Sequence, residues 1–453
     1  MQETLSHYFG YKSFRPGQEE IITKILNHQH TLGVLPTGGG KSICYQVPGL
    51  MQGGTTIVIS PLISLMKDQV DQLQAMGIQA AYLNSSLTHK QQKEIEEQIK
   101  RGAIQFLYVA PERFENTFFL NLLRKIEIPL IAFDEAHCIS KRGHDFRPSY
   151  QSVIQKVFTL PQNFTIVALT ATATAEVQQD IMSKLSIGQN DVVKTSTKRR
   201  NLIFKVNPTY QRQKFVVDYV ANHEGQAGII YCSTRKQVEE LHEALNSEKI
   251  KSTIYHAGLT NKERIEAQND FLYDRVEVVI ATNAFGMGID KSNVRYVIHY
   301  NMPGDLESYY QEAGRAGRDG LKSECILLFS ERDKGLHEYF ITVSQADDDY
   351  KDKMGEKLTK MIQYTKTKKC LEATIVHYFE PNENLEECNQ CSNCIQENKT
   401  YDMTREAKMI ISCIARMKQQ ENYSVIIQVL RGEVTDYIKH HHYNELTTHG
   451  LMK

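Results

Sequence analysis

His30-Thr31-Leu32-Gly33-Val34-Leu35, then Pro36-Thr37-Gly38-Gly39-Gly40-Lys41-Ser42, then Ile43-Cys44-Tyr45-Gln46-Val47 form the most informative stretch of the chain. An apolar run feeds a glycine-rich turn, and a helix-forming run follows it. In such a turn, backbone N–H groups close around phosphate oxygens, with the positive end of a helix behind them. Lys41 is placed to reach the outer phosphates of a nucleoside triphosphate, and the Ser42 hydroxyl to bind Mg2+. The strict G-x-x-x-x-G-K-[S/T] pattern is not met, because Leu35 stands where its first Gly falls. A glycine-rich turn with an incidental lysine is the competing reading of this segment taken alone.

The surrounding pattern supports an α/β fold. Residues 55–60, 104–110, 129–135 and 164–170 are short β-branched runs, apolar on both faces. Residues 228–232, 276–282 and 294–300 form a second such group. Runs of this kind predict parallel strands covered by helices on both sides. Residues 89–102 and 235–249 read as crossover helices. The basic, apolar-poor stretch 196–212 reads as the boundary between two lobes. After residue 330 the pattern turns helical.

Composition narrows the class. The chain has 453 residues, a size for about three domains. Charged residues are 24%, and the formal net charge is −1, so any grip on nucleic acid comes from local patches. No apolar run suffices for a bilayer span, and the N-terminus carries no secretion signal. The expected location is the cytosol, at the bacterial nucleoid, with no membrane partner. Five of the nine cysteines are scattered, and four cluster at Cys370, Cys388, Cys391 and Cys394. That arrangement suits a metal site in a reduced compartment.

Two further segments carry chemistry. Ile131-Ala132-Phe133-Asp134-Glu135-Ala136-His137 is an apolar strand ending in two carboxylates, at the edge where open α/β sheets place ligands. Asp134 suits Mg2+ coordination, and Glu135 suits orienting or deprotonating an attacking water. Gln311-Glu312-Ala313-Gly314-Arg315-Ala316-Gly317-Arg318 puts two arginines three apart on one helix face. Presented across a cleft, one of them would stabilise charge on a transferring phosphoryl group. An isolated Arg-x-x-Arg is otherwise a solvated basic face.

These three signals occur in order, with Thr170-Ala171-Thr172 and the segment Ala281–Asp290 between them. Together they resemble a superfamily 2 helicase, specifically the RecQ family. Phe9-Gly10-Tyr11-Lys12-Ser13-Phe14-Arg15-Pro16-Gly17-Gln18 is similar to the family's adenine-recognition segment. The resemblance implies that Tyr11 stacks on the base while Arg15 and Gln18 bond to or near it. Ser60-Pro61-Leu62-Ile63-Ser64-Leu65-Met66-Lys67-Asp68-Gln69 resembles the strand-tracking motif. Gly143-His144-Asp145-Phe146-Arg147-Pro148 resembles the loop that couples DNA contact to the ATP site, implicating Arg142, His144, Phe146 and Arg147. Pro36 through Ser42, Asp290 and Gln311 are the further nucleotide contacts implied. The family fold is two RecA-like parallel-sheet lobes in tandem, a helical four-cysteine zinc module and a winged-helix segment. The corresponding domains here are 1–198, 199–335, 336–400 and an incomplete 401–453. The implied activity is ATP-dependent 3′ to 5′ movement on single-stranded DNA and unwinding of tailed or forked duplex, in recombination and repair. The cofactors are ATP, Mg2+ and Zn2+. The expected state is a monomer, with a single-stranded-DNA-binding protein as a possible partner.

Cys370 and the run Cys388-x-x-Cys391-x-x-Cys394 supply four thiolates, a closed set for structural zinc. His440, His441 and His442 read as a polar turn. The chain departs from the family at three places. Lys141-Arg142 stand where Gln-Trp is usual, and the chain contains no Trp. Arg199-Arg200-Asn201 stand where Arg-Pro-Asn is usual, which predicts a less stiff linker. The sequence also ends before the wing strands of the last domain. Two other functions remain in view: an RNA helicase, and a DNA-binding or strand-annealing protein with a weakened motor.

Overall fold

A computed structural model describes all residues except 86, 144, 284, 286–290, 345–346, 384, 396–402 and 453, and all their side chains except those of residues 63 and 64. The chain divides into two units, Met1–Ile395 and Gln396–Lys453.

The larger unit holds two sheets. The first contains β1 (Thr31–Val34), β2 (Thr56–Ile59), β3 (Ala80–Leu83), β4 (Phe106–Val109), β5 (Leu130–Phe133), β6 (Thr165–Thr170) and β7 (Val192–Lys194). Their spatial order is β3-β4-β2-β5-β6-β1-β7. The second contains β8 (Leu202–Pro208), β9 (Ala227–Tyr231), β10 (Ser252–Tyr255), β11 (Val278–Ala281), β12 (Val294–His299) and β13 (Ser323–Phe329), ordered β10-β11-β9-β12-β13-β8. Every strand pairing is parallel.

The apolar runs of the sequence become strands for a physical reason. Every residue of β1, β2, β4, β5, β6, β9 and β11 is buried. The strand period of two sends Ile57, Ile59, Ile131 and Phe133 into one core and Val58, Leu130, Ala132 and Val167 into the core on the opposite face. The two crossover helices form at His89–Lys100, closed by a Thr88–Gln91 capping box, and at Arg235–Ser247, capped by Thr234.

One expectation needs correction. Residues 202–208 of the apparent boundary form β8, an edge strand paired along its length with β13. Leu202 and Phe204 are buried, while Lys205 pairs with Glu324 at 2.6 Å. Alternation of this kind carries few apolar residues, so a half-buried edge strand imitates a linker.

Helices Asp348–Lys366 and Leu371–Phe379 pack Leu358, Met361, Ile375 and Phe379 into the same core as Phe204 and Tyr309 of the second lobe. The smaller unit is helical, with Thr404–Arg416, Tyr423–Leu430 and Asp436–His440 around Cys413, Met417, Val429 and Ile438. No strand follows Phe329 among the described residues.

Candidate nucleotide and zinc sites

Strands β5, β6 and β1 are neighbours, so their C-terminal ends deliver three loops to one place. The loop after β1 is the glycine-rich turn. Gly38 and Gly40 hold φ of 80° and 75°, which favour glycine, and the Gly39 N–H closes onto Pro36 O at 2.8 Å. Ser42 sits at the start of helix Ile43–Gln52.

The loop after β5 places Asp134 and Glu135 opposite that turn. The Asp134 N–H donates to Ile59 O at 2.9 Å, and Tyr150 Oη donates to Asp134 O at 2.9 Å. Burial, then the charge of Glu135, pushes the Asp134 carboxyl up to about 7 against the pull of Lys41. Glu135 lies 3.9 Å from Lys41 Nζ and 3.4 Å from His137 Nδ1. His137 Nδ1 is also 3.1 Å from Thr170 Oγ1, which donates to Thr172 O at 3.0 Å. Thr172 Oγ1 in turn accepts from Gln311 Nε2 at 2.9 Å. A connected path therefore runs from Glu135 through the end of β6 to the second lobe. The sequence singled out both Gln311 and Thr170-Ala171-Thr172 but gave no sign that they bond, because the two segments lie far apart in the chain.

The second lobe supplies the opposite wall. Helix Leu306–Ala313 ends before Arg315 and Arg318, which lie in the turns after Gly314 and not on the helix face that their spacing predicts, because the chain leaves the helix at the glycine. His299, completely buried at the end of β12, bonds Glu312 at 2.8 Å and so anchors this helix. A methyl group built on Gly38 would come within 3.2 Å of Arg318 Cγ, so the arginine loop lies directly on the phosphate turn. The cavity between these walls measures about 540 Å3 and is lined by Lys41, Ser42, Asp134, Glu135, Arg315 and Arg318. Thr37 Oγ1 and Arg315 Nε are buried there with no hydrogen-bond partner among the described residues. Those orphaned donors fit a polyanion.

Tyr11 stands half exposed on the rim of the same cavity. Gln18 Nε2 donates to Gly39 O at 3.2 Å and Gly40 O at 2.9 Å, and Arg15 donates to Gly38 O. Both side chains therefore brace the phosphate turn. Asp290 and His144 lie outside the described residues. Arg147 bonds Asp145 at 3.1 Å and Pro61 O at 3.1 Å, tying the coupling loop to the segment after β2. Phe146 is half-buried, and Arg142 lies on the surface 3.6 Å from Glu176.

The four clustered cysteines converge, each offering a sulfur within 4.8 Å of the others. Sγ separations are 3.9 Å for Cys370–Cys391, 3.5 Å for Cys391–Cys394 and 4.0 Å for Cys388–Cys394. Four sulfurs each ~2.3 Å from a zinc ion stand about 3.8 Å apart, so the set fits tetrahedral Zn2+. The N–H groups of Leu371 and Cys391 donate to Cys391 Sγ and Cys388 Sγ, both at 3.3 Å, and favour the thiolates that bind metal.

A nucleotide cavity walled by two parallel-sheet lobes, with carboxylates from one and arginines from the other, defines a helicase-type motor. The chain matches the models described as DEAD/DEAH box helicase over residues 15–181 and helicase conserved C-terminal domain over 211–320. RecQ zinc-binding follows over 331–395 and RQC domain over 397–453. It is 46% identical over 453 residues to "ATP-dependent DNA helicase RecQ" of Bacillus subtilis (strain 168), covering 100% of this chain and 76% of that protein. For the protein of the same description in Haemophilus influenzae, identity is 40% over 449 residues, covering 99% and 72%. The chain belongs to the RecQ family of superfamily 2 helicases. Among solved structures, "DEAD-box helicase Mss116 bound to ssRNA and UDP-BeF" superposes with a TM-score of 0.63 at 14% identity, covering 79% of this chain and 81% of that one. At that identity the likeness shows the shared two-lobe fold. Among the described residues, no helix is long and apolar enough to cross a membrane.

Proposed function

We propose that this chain is an ATP-dependent DNA helicase that moves 3′ to 5′ along single-stranded DNA and unwinds tailed or forked duplexes in recombination and repair. The observation that carries the reading is the divided site. Lys41, Asp134 and Glu135 come from the first lobe, and Arg315 and Arg318 from the second, around one cavity. A ligand that touches both walls biases their relative position, and cleavage of its γ phosphate removes that bias.

In this reading Tyr11 stacks on adenine beside Arg15 and Gln18. Pro36, Thr37, Gly38, Gly39 and Gly40 cradle the phosphates while Lys41 reaches the β and γ groups. Ser42 and Asp134 hold Mg2+, which neutralises phosphate charge. The buried carboxyl of Asp134, raised by its surroundings, suits a cation partner. Glu135 orients the attacking water. Gln311 and Asp290 complete the nucleotide contacts, and Arg315 or Arg318 stabilises the transferring phosphoryl. Cys370, Cys388, Cys391 and Cys394 hold structural zinc. Arg142, His144, Phe146 and Arg147 report DNA occupancy. The functional divisions are 1–198, 199–335, 336–400 and 401–453. The protein acts as a cytosolic monomer beside a single-stranded-DNA-binding protein.

The exposed Arg142–Glu176 pair, at a position where the family usually has Trp, favours a second reading in which the motor is only weakly stimulated by DNA. Strand displacement on 3′-tailed and 5′-tailed duplexes, with phosphate release measured alongside, tests both. ATP-dependent displacement confined to the 3′ tail supports the first reading. DNA binding with little stimulated turnover supports the second.

A further inference from the structure

Residues 194–202 join the two sheets, and the zinc module grips them along their length. Lys194 Nζ donates to Phe379 O at 3.2 Å, and the Thr197 N–H to Glu380 Oε1 at 2.7 Å. Lys198 pairs with Glu383 at 2.6 Å, and the Arg199 N–H donates to Glu372 Oε1 at 3.3 Å. Gln390, between two of the zinc-site cysteines, donates to Arg200 O at 3.0 Å and Leu202 O at 3.2 Å.

From this fixed backbone the Arg199 side chain reaches the phosphate turn and the arginine loop, beside the cavity they line. Its Nη1 donates to Thr37 O at 2.6 Å, on the phosphate turn of the first lobe. Its Nη2 donates to Ala316 O and Gly317 O, each at 3.1 Å, between the two arginines of the second lobe. One planar guanidinium thus spans the two walls of the site. The walls also touch beside it, since a methyl built on Gly314 would come within 3.0 Å of Thr37 Cβ. The geometry requires a rigid fork with several donors, which a lysine ammonium cannot reproduce at both walls.

We propose that Arg199 is a positioning residue for ATP hydrolysis. It registers the arginine loop against the phosphate turn, and the zinc module sets its place through Glu372. This rests on reading the cleft as an ATP site. The Nη groups of Arg199 meet backbone carbonyls and its Nε donates to Asn201 Oδ1 at 3.4 Å, so its effect is on how Arg315 and Arg318 are presented. Small displacements of such groups cost rate more than ground-state affinity.

The test is steady-state ATPase at saturating single-stranded DNA for the full chain and for Arg199→Lys, Arg199→Ala, Glu372→Ala and Glu372→Gln, with zinc content and thermal melting on each. Arg199→Lys and Arg199→Ala are expected to lower kcat by roughly tenfold or more with KM for ATP within about threefold of the parent. Glu372→Ala is expected to show a smaller loss of the same kind. Glu372→Gln, which keeps an acceptor for the Arg199 N–H, restores it. A parent that hydrolyses ATP alongside an Arg199→Lys variant of unchanged kcat overturns the proposal and leaves the ATP site standing. A parent with no hydrolysis overturns the ATP-site reading itself. If both Arg199 variants lose zinc or melt far below the parent, Arg199 holds the fold together and the positioning role is overturned.

Discussion

Replacing Arg142 by Trp tests how DNA occupancy reaches the ATP site. Arg142 projects from the loop that follows Asp134–His137, and it pairs with Glu176 at 3.6 Å, both side chains half or more exposed. An exposed pair of this kind is worth roughly 0–1 kcal/mol and less in salt, so its removal leaves folding nearly untouched. An indole stacked on a base contributes about 1–3 kcal/mol. At about 1.4 kcal/mol per factor of ten, the DNA concentration giving half-maximal ATPase stimulation falls ~5- to 150-fold. The loop can present the ring from a fixed base, because the Gly143 N–H bonds Ser140 O at 2.9 Å and Arg147 bonds Pro61 O at 3.1 Å. The assay is phosphate release against single-stranded DNA concentration for the parent, Arg142→Trp and Arg142→Ala, the last separating loss of the Glu176 pair from gain of the ring. A Trp variant with the same half-saturation point and the same maximal stimulated rate as the parent refutes the reasoning.

Other parts of the structure make independent predictions. Lys41→Ala removes the amine between the phosphate turn and Glu135, so ATP hydrolysis is expected to vanish while single-stranded DNA still shifts in a gel; sustained hydrolysis counts against the site. Removing the metal with a chelator, or Cys391→Ser, should lower the melting temperature of the larger unit, because Cys391 is buried among the other three sulfurs; a zinc-free protein with unchanged melting contradicts this. His30 accepts the Ile166 N–H at 3.1 Å, and burial lowers its pKa, partly offset by Asp191. The unfolded chain therefore binds a proton more readily below its ordinary pKa of about 6.5, and this contribution to stability fades as pH falls through that value. Melting curves from pH 7.5 to 5 should slope less steeply for His30→Asn; parallel slopes exclude His30 as a source.

Much of this was legible from local chemistry. The phosphate turn, the carboxylate pair after β5 and the C-x-x-C-x-x-C run each declare themselves within a few residues, because one backbone loop or one metal imposes their spacing. Fully buried parallel strands were equally plain as unbroken apolar runs. Strands β3, β7, β8, β10 and β13 were not: partial burial mixes polar residues into β8 and β10, as Lys205 and Ser252 show, β7 is only three residues long, and β13 opens on Ser323 and Glu324. The site's long-range wiring was also hidden. The Gln311–Thr172 bond and the Arg199 bridge join residues more than a hundred positions apart. Their side chains look ordinary until both lobes are folded. The sequence marked Arg199-Arg200 only as a softer linker, whereas the structure ties that segment to the zinc module at several points.

The central claim is that one nucleotide site is completed by both lobes, and the arginines test it most directly. The measurement is single-turnover phosphate release from ATP at saturating DNA, with nucleotide binding followed separately by a fluorescent analogue, for the parent, Arg315→Ala and Arg318→Ala. An arginine that stabilises the transferring phosphoryl contributes ~10³- to 10⁵-fold, so at least one variant should lose rate on that scale while still binding nucleotide. Release at the parental rate from both variants would show that the second lobe takes no part in the chemistry.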